Sequence, residues 1–179
     1  MDKAINLYEE PIKLSKLLDD YSLIEIHGED VISSEIFQRV AGQRHHIFST
    51  VGYHSVHVAR IMVILSRLFK MDLRDIIRAS LWHDVGIYDR KSFREVSMGY
   101  EHPKRSLKLA DSLDALDETE KDMIAHHMWP MCKEMPETLE GVLITIADKW
   151  CAVTEFLGLS RSKKIIEMIK RPRQSTDEG

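Results

Sequence analysis

Apolar positions recur with a helical period along most of the chain, and no stretch shows the strict alternation of a half-buried strand. Between Tyr53 and Lys70, the residues Val58, Ile61 and Leu65 share one face while Arg60, Arg67 and Lys70 fall elsewhere, which predicts an amphipathic helix. Asp72 is a good N-cap for a second helix, LRDIIRASLWHDV, whose end Gly86 marks. Pro103 suits a first helical position and predicts a third helix running through Leu113. The acidic turn DETEKD opens a fourth, which Pro130 stops. A fifth begins near Pro136 and carries GVLITIADKWCAV, which is apolar on nearly every side and is therefore expected at the centre of the molecule. Further helices are expected from Ala4 to Leu18, around Val31 to Val40, and from about Ser162 to Lys170. The polar tail RPRQSTDEG is expected to be disordered. The pattern predicts an all-α fold with no substantial sheet: N-terminal helices over 1–42 packing on a core of 43–158, a C-terminal helix over 159–170, and a tail over 171–179.

A chain of 179 residues, 44% hydrophobic and 30% charged, suits one compact domain. With 25 Lys and Arg against 29 Asp and Glu, the net charge of −4 supplies no basic field for a nucleic-acid backbone, so nucleic acid is not an expected partner. Six basic residues between Ser160 and Arg173 read as a solvated helix face. Cys132 and Cys151 cannot build a disulfide framework, which suggests a reducing compartment. Charged residues interrupt every apolar run short of the roughly 20 residues a membrane span needs, and the first residues do not read as a leader. Cytoplasmic localisation, with no membrane partner, is the expectation.

The nine histidines change the picture, since imidazole is the commonest metal ligand. His54 precedes Val58, Ile61 and Leu65 on one helical stripe, so its ring should face the core. Asp84 lies in the apolar run SLWHDVG, and Asp148 is the one acid among Leu143, Ile144, Ile146 and Ala147; each, if buried, needs a cation or an ion-pair partner. His126 and His127 follow Met123 by three and four residues, so at least one should point inwards, and His102 sits at the expected helix entrance before Pro103. One metal centre would compensate all of these polar residues together. Adjacent helical residues project about 100° apart, so His83 and Asp84 can meet one ion only where a helix is ending, and Gly86 provides that ending. Imidazole and carboxylate ligands without thiolate suit Fe, Mn, Co, Ni or Zn.

The order His54, His83-Asp84, Asp148 resembles the HD-domain superfamily of metal-dependent phosphohydrolases. His54-Ser55-Val56-His57-Val58-Ala59 resembles that family's first-ligand helix, Leu81-Trp82-His83-Asp84-Val85-Gly86 its signature doublet, and Ile146-Ala147-Asp148-Lys149 its last ligand. The resemblance runs from about His45 to Glu155 and implies a first metal site at His54, His83, Asp84 and Asp148, with the ligand at His54 rather than His57. His102 and the pair His126-His127 fall where members with more than one metal carry extra histidines. This implies a second site at Asp84, His102 and His126, with His127 a substitute ligand or a substrate contact, and two divalent transition-metal ions bridged by Asp84.

The family's chemistry implies hydrolysis of a phosphate ester or anhydride, with a metal-bound hydroxide as nucleophile and His83 and Asp84 at the catalytic centre. Met128-Trp129-Pro130 and Ile87 depart from the cyclic di-GMP phosphodiesterases. Val85-Gly86-Ile87-Tyr88 replaces the Glu-Asp pair of guanosine tetraphosphate hydrolases. A small stand-alone member is the better match, which implies a phosphorylated small molecule, a nucleotide by family analogy. The alternatives are a non-catalytic metal- or nucleotide-sensing module and, less commonly, a di-iron oxygenase. Arg44 and Lys149 adjoin the ligand-bearing segments and are the foremost candidates to bind substrate phosphate, ahead of Arg90, Lys91, Lys104 and Arg105.

Overall fold

Side-chain caps set most of the helix starts. The computed structural model describes residues 18–45, 49–87 and 95–170, with the backbone alone over 95–100. Within them lie α1 (Asp20–Ser33), α2 (Glu35–Ala41), α3 (Val51–Ser66), α4 (Leu73–Trp82), a 3-10 turn (Val85–Ile87), α5 (Glu95–Asp111), α6 (Glu118–His126), α7 (Leu139–Phe156) and α8 (Lys163–Ile169). Asp72 accepts from Arg74 N at 2.8 Å to start α4, and Asp117 and Glu120 form a reciprocal capping box at α6. Thr50 caps α3 and Thr138 caps α7. Each such cap stabilises its helix by about 1 kcal/mol. The described residues contain no strand, and the backbone makes one isolated antiparallel bridge between Arg44 and Thr50.

Three expectations need correction. The segment Val31 to Val40 is not one helix, because Ser34 is extended with ψ 147° and its hydroxyl accepts from Phe37 N, ending α1 and starting α2. Pro103 does not open α5, which begins at Glu95. Proline in a helix interior sacrifices one backbone bond, and the close docking of α5 on the 3-10 turn offsets that loss. Nor is α7 wholly interior. It buries Leu143, Ile144, Ala147, Asp148, Cys151 and Glu155, yet Ile146 and Trp150 are 57% and 60% exposed. The expected helix from Ala4, the tail, and Arg90 and Lys91 lie outside the described residues.

The core is built where α3 packs on α4 and α7, α4 on α1 and α6, and α6 on α7. Leu23, Phe37, Met62, Ile77, Leu81, Met123 and Ile144 fill it completely. Two polar locks hold the frame. Arg78 of α4 donates to Asp30 of α1 at 2.7 Å and also to Asp114 just after α5. Asp122 of α6 accepts from Glu137 N and Thr138 N at 3.0 and 2.9 Å, fixing the start of α7 against α6. Gly86 admits α5: a Cβ there would lie 2.5 Å from Ser106 N and closer still to the His102 carbonyl oxygen. No helix of the described residues is long and apolar enough to cross a membrane.

Candidate metal centre

The buried carboxylate of Asp84 is the point on which several helices converge. Helix α4 ends at Trp82, so His83 is its C-cap and Asp84 stands in the following turn, where neither is bound by helical projection. His83 Nδ1 donates to the Ser80 carbonyl at 2.7 Å. His127 caps α6 in the same way, its Nδ1 donating to the Ile124 carbonyl at 2.8 Å. Each bond satisfies a carbonyl that the helix end leaves without a partner and keeps the proton on Nδ1, so that Nε2 presents a lone pair.

Other segments close the ring. His54, in the first turn of α3, lies 2.8 Å through Nε2 from Asp148 Oδ1 and 3.1 Å through Nδ1 from Glu155 Oε2. His102 of α5 lies 3.2 Å from Asp84 Oδ1 and 3.0 Å from His127 Nε2. His45, on the bridged segment before α3, reaches Asp84 Oδ2 at 3.3 Å and packs its ring 4.4 Å from that of His54. The two oxygens of Asp84 therefore face different histidines. Oδ2 looks towards His45, His83 and His54 at 3.3, 3.4 and 3.9 Å, and Oδ1 towards His102 and His127 at 3.2 and 3.5 Å.

Burial and charge oppose each other here. Burial alone raises the carboxyl of Asp84, but His83, His45, His102 and His127 around it win, holding it well below the usual carboxylate range. Burial likewise raises Asp148, and hydrogen bonding and charge from His54 reverse the shift. For His54 burial disfavours the charged form, yet Asp148 and Glu155 push it up to about 10. His83, whose burial dominates, falls to about 4 and is neutral at pH 7.

The residues fit a metal. His83 Nε2 is buried and makes no hydrogen bond among the described residues, though Asp84 Oδ2 is 3.4 Å away. An unsatisfied buried polar atom costs about 1–3 kcal/mol, and a cation shared by that lone pair and the carboxylates removes the cost. Donor atoms of His54, His83 and Asp148, and of His83, Asp84 and His127, lie within 4.8 Å of one another, as do those of His45, His54 and Asp84. Two imidazole nitrogens bound to one ion at about 2.1 Å and at right angles lie about 3 Å apart. His102 and His127 have that separation.

The family model for the HD domain matches residues 51–152, which include His54, the His83-Asp84 doublet, His102, His127 and Asp148. The chain belongs to the HD domain family. HD domains form a superfamily of metal-dependent phosphohydrolases, and the buried His and Asp cluster is compatible with metal binding. No curated protein and no solved structure is significantly similar to the chain.

Against the HD pattern, the structure brings His54, His83, Asp84, His102, His127 and Asp148 together, and it separates His126 from them. The expected second site at Asp84, His102 and His126 needs correction on this geometry. His126 is the last residue of α6, and its ring turns back along its own helix to Asp122, 2.6 Å away, while the C-cap His127 turns inwards. Lys149 donates to the His127 carbonyl at 2.9 Å and lies 3.5 Å from Asp148 Oδ2, so it braces the ligand segments. Arg44 is exposed, one residue before His45. His57 stands behind the HD centre, 2.8 Å from Glu155 Oε1 and within reach of Ser160.

Sequence reasoning missed two residues. His45 lies in a segment without periodicity, and only the bridge from Arg44 to Thr50 turns it inwards. Glu155 carried a legible signal, since it follows Asp148 by two helical turns on the same face of α7. Its carboxylate accepts from both His54 and His57. Burial raises it, but those two partners outweigh burial and hold it ionised below its ordinary range. It thereby orients His54 from behind.

Proposed function

We propose that this HD domain hydrolyses a phosphate ester or anhydride of a small molecule, a nucleotide being the substrate class, with two divalent transition-metal ions of the Fe, Mn, Co, Ni or Zn group. The observation that carries the reading is the division of Asp84: one carboxylate oxygen faces His45, His54 and His83, and the other faces His102 and His127. One ion would be held by His54, His83, Asp84 and Asp148, the other by Asp84, His102 and His127. Bound there, the ions supply a nucleophile drawn from water at neutral pH and neutralise charge on the phosphoryl oxygens.

The residues contribute the rest. Glu155 keeps the Nδ1 proton on His54 when Nε2 gives up its own to an ion, and the Ser80 and Ile124 carbonyls hold the Nδ1 proton of His83 and His127, so all three imidazoles would bind through Nε2. His54, His83 and His127 are fully buried, which excludes bulk water from the inner side. His45 is the most exposed of these histidine side chains at 14% and marks the side from which substrate approaches. Arg44 beside it is the proposed contact for further phosphate charge.

Purified protein assayed for metal by elemental analysis, then loaded and given bis(p-nitrophenyl) phosphate, p-nitrophenyl phosphate and a nucleotide panel, tests the reading. Turnover that Asp84→Ala abolishes supports it. Metal held firmly with no turnover on any of these substrates would sink it in favour of a sensing module.

A further inference from the structure

Helix α7 is apolar around nearly its whole circumference, and a helix of that kind is ordinarily enclosed. The described residues enclose only one side of it. Opposite the buried face of Ile144, Asp148, Cys151 and Glu155 runs an outward row of Leu139, Val142, Ile146, Trp150, Val153 and Leu157. Their spacing of three and four residues makes a seam about 27 Å long at 1.5 Å per residue. Every residue of it is a large hydrophobe between 38% and 60% exposed, and no polar side chain interrupts it. Single exposed hydrophobes are ordinary, but an uninterrupted row marks an interaction surface.

We propose that this seam is a homodimer interface in which α7 packs antiparallel against α7 of a second copy about a two-fold axis. The row is self-complementary in that arrangement. With Ile146 set against Trp150 of the second copy, Val142 meets Val153 and Leu139 meets Leu157, so each apolar residue finds another. Charge selects the antiparallel direction. Glu137 and Glu140 lie at the start of α7, whereas Arg161 and Lys163 follow its end and are exposed. An antiparallel pair sets the acidic end of one copy beside the basic end of the other, whereas a parallel pair would oppose like charges. The exposed parts of the six seam residues amount to roughly 600 Å² per copy, and Phe156 with the polar rim brings this towards the roughly 800 Å² per partner of a stable interface.

Sedimentation equilibrium of the full chain over a range of concentrations, with and without Ile146→Glu, tests the proposal. The expected result is twice the chain mass of 20.8 kDa for the wild type and the single mass for the variant, with helicity by circular dichroism and metal content unchanged. Trp150→Glu is expected to behave alike, and it serves should Ile146→Glu fail to fold. A wild type that stays monomeric at every concentration overturns the proposal without recourse to any variant, the seam then being covered by residues 1–17 of its own chain or by a different protein. A dimer that survives both substitutions overturns it as well.

Discussion

Replacing Gly86 by alanine probes how the centre is assembled, because the new methyl group meets backbone that cannot rotate away. It would lie 2.5 Å from Ser106 N and closer to the His102 carbonyl oxygen. Ordinary contact is near 3.5 Å, so α5 and the 3-10 turn must separate by roughly 1 Å. Overpacking of this kind costs about 1–3 kcal/mol. At about 2–4 °C per kcal/mol for a chain of this size, the melting temperature falls by roughly 2–12 °C. The same movement carries His102 away from Asp84, now 3.2 Å apart, by far more than the tolerance of about 0.2 Å in a ligand distance. Gly86→Ala is thus expected to lose the metal on the His102 and His127 side while keeping that held by His54, His83 and Asp148. Thermal melting by circular dichroism and metal content by mass spectrometry give the two readouts. Ser106→Ala is the control: it removes the 2.9 Å bond from Gly86 N to the Ser106 hydroxyl, at about 1–3 kcal/mol, and leaves His102 in place. A Gly86→Ala protein that melts with the wild type and carries its full metal content would refute the reasoning.

His127→Ala is expected to lower bound metal while His126→Ala leaves it at the wild-type level, and equal loss from both would overturn the assignment. Glu155→Gln keeps the shape but offers one acceptor to two imidazole N–H groups, so metal affinity measured by chelator competition is expected to fall about 10–100-fold; an unchanged affinity would remove the orienting role. His54 is pushed up to about 10 and so carries a proton at pH 7 in the metal-free protein, which metal must displace. Calorimetry at pH 7 in buffers of different ionisation enthalpy should register about one proton released, and none released contradicts the assignment. A raised folded-state pKa stabilises fully below the unfolded value near 6.5 and is lost as pH rises through about 10, so the metal-free protein should melt progressively lower across that window. The depressed carboxylates Asp84, Asp148 and Glu155 withdraw their stabilisation only on the acid side. Metal-loaded protein is expected to lack the alkaline decline.

Much of the site was legible because its chemistry conflicts with its surroundings. Asp148 among isoleucines and Asp84 in an apolar run announce themselves as acids needing a counter-charge, and Asp72 and the acidic turn before α6 announce helix starts. The choice between His126 and His127 could not be read from spacing, since it depends on which of them is the last helical residue, a boundary one residue wide. His45 was hidden for a related reason: its direction comes from a backbone bridge, and bridges leave no period. The misplacement of α7 was a different failure. Hydrophobicity records that a face is covered but not whether the covering atoms belong to the same molecule.

His83 and His127 share a device with a mechanical consequence. Each is the residue at which a helix stops, and each ties its ring to a carbonyl three residues back, so the last turn of the helix and the aim of the ring form one body. Asp148, by contrast, is gripped in mid-helix by turns on both sides, and His54 lies in the first turn of α3, fixed by the Thr50 cap and by its own N–H bond to the Thr50 carbonyl. The centre therefore has a stiff half and a hinged half. Fraying of α4 or α6 by a single turn would swing a nitrogen off target and loosen Leu81 or Met123 in the core, and an occupant that holds the nitrogen would in return splice the end of the helix. Amide exchange at the last turns of α4 and α6 should slow on loading, well beyond any change in the middle of α3.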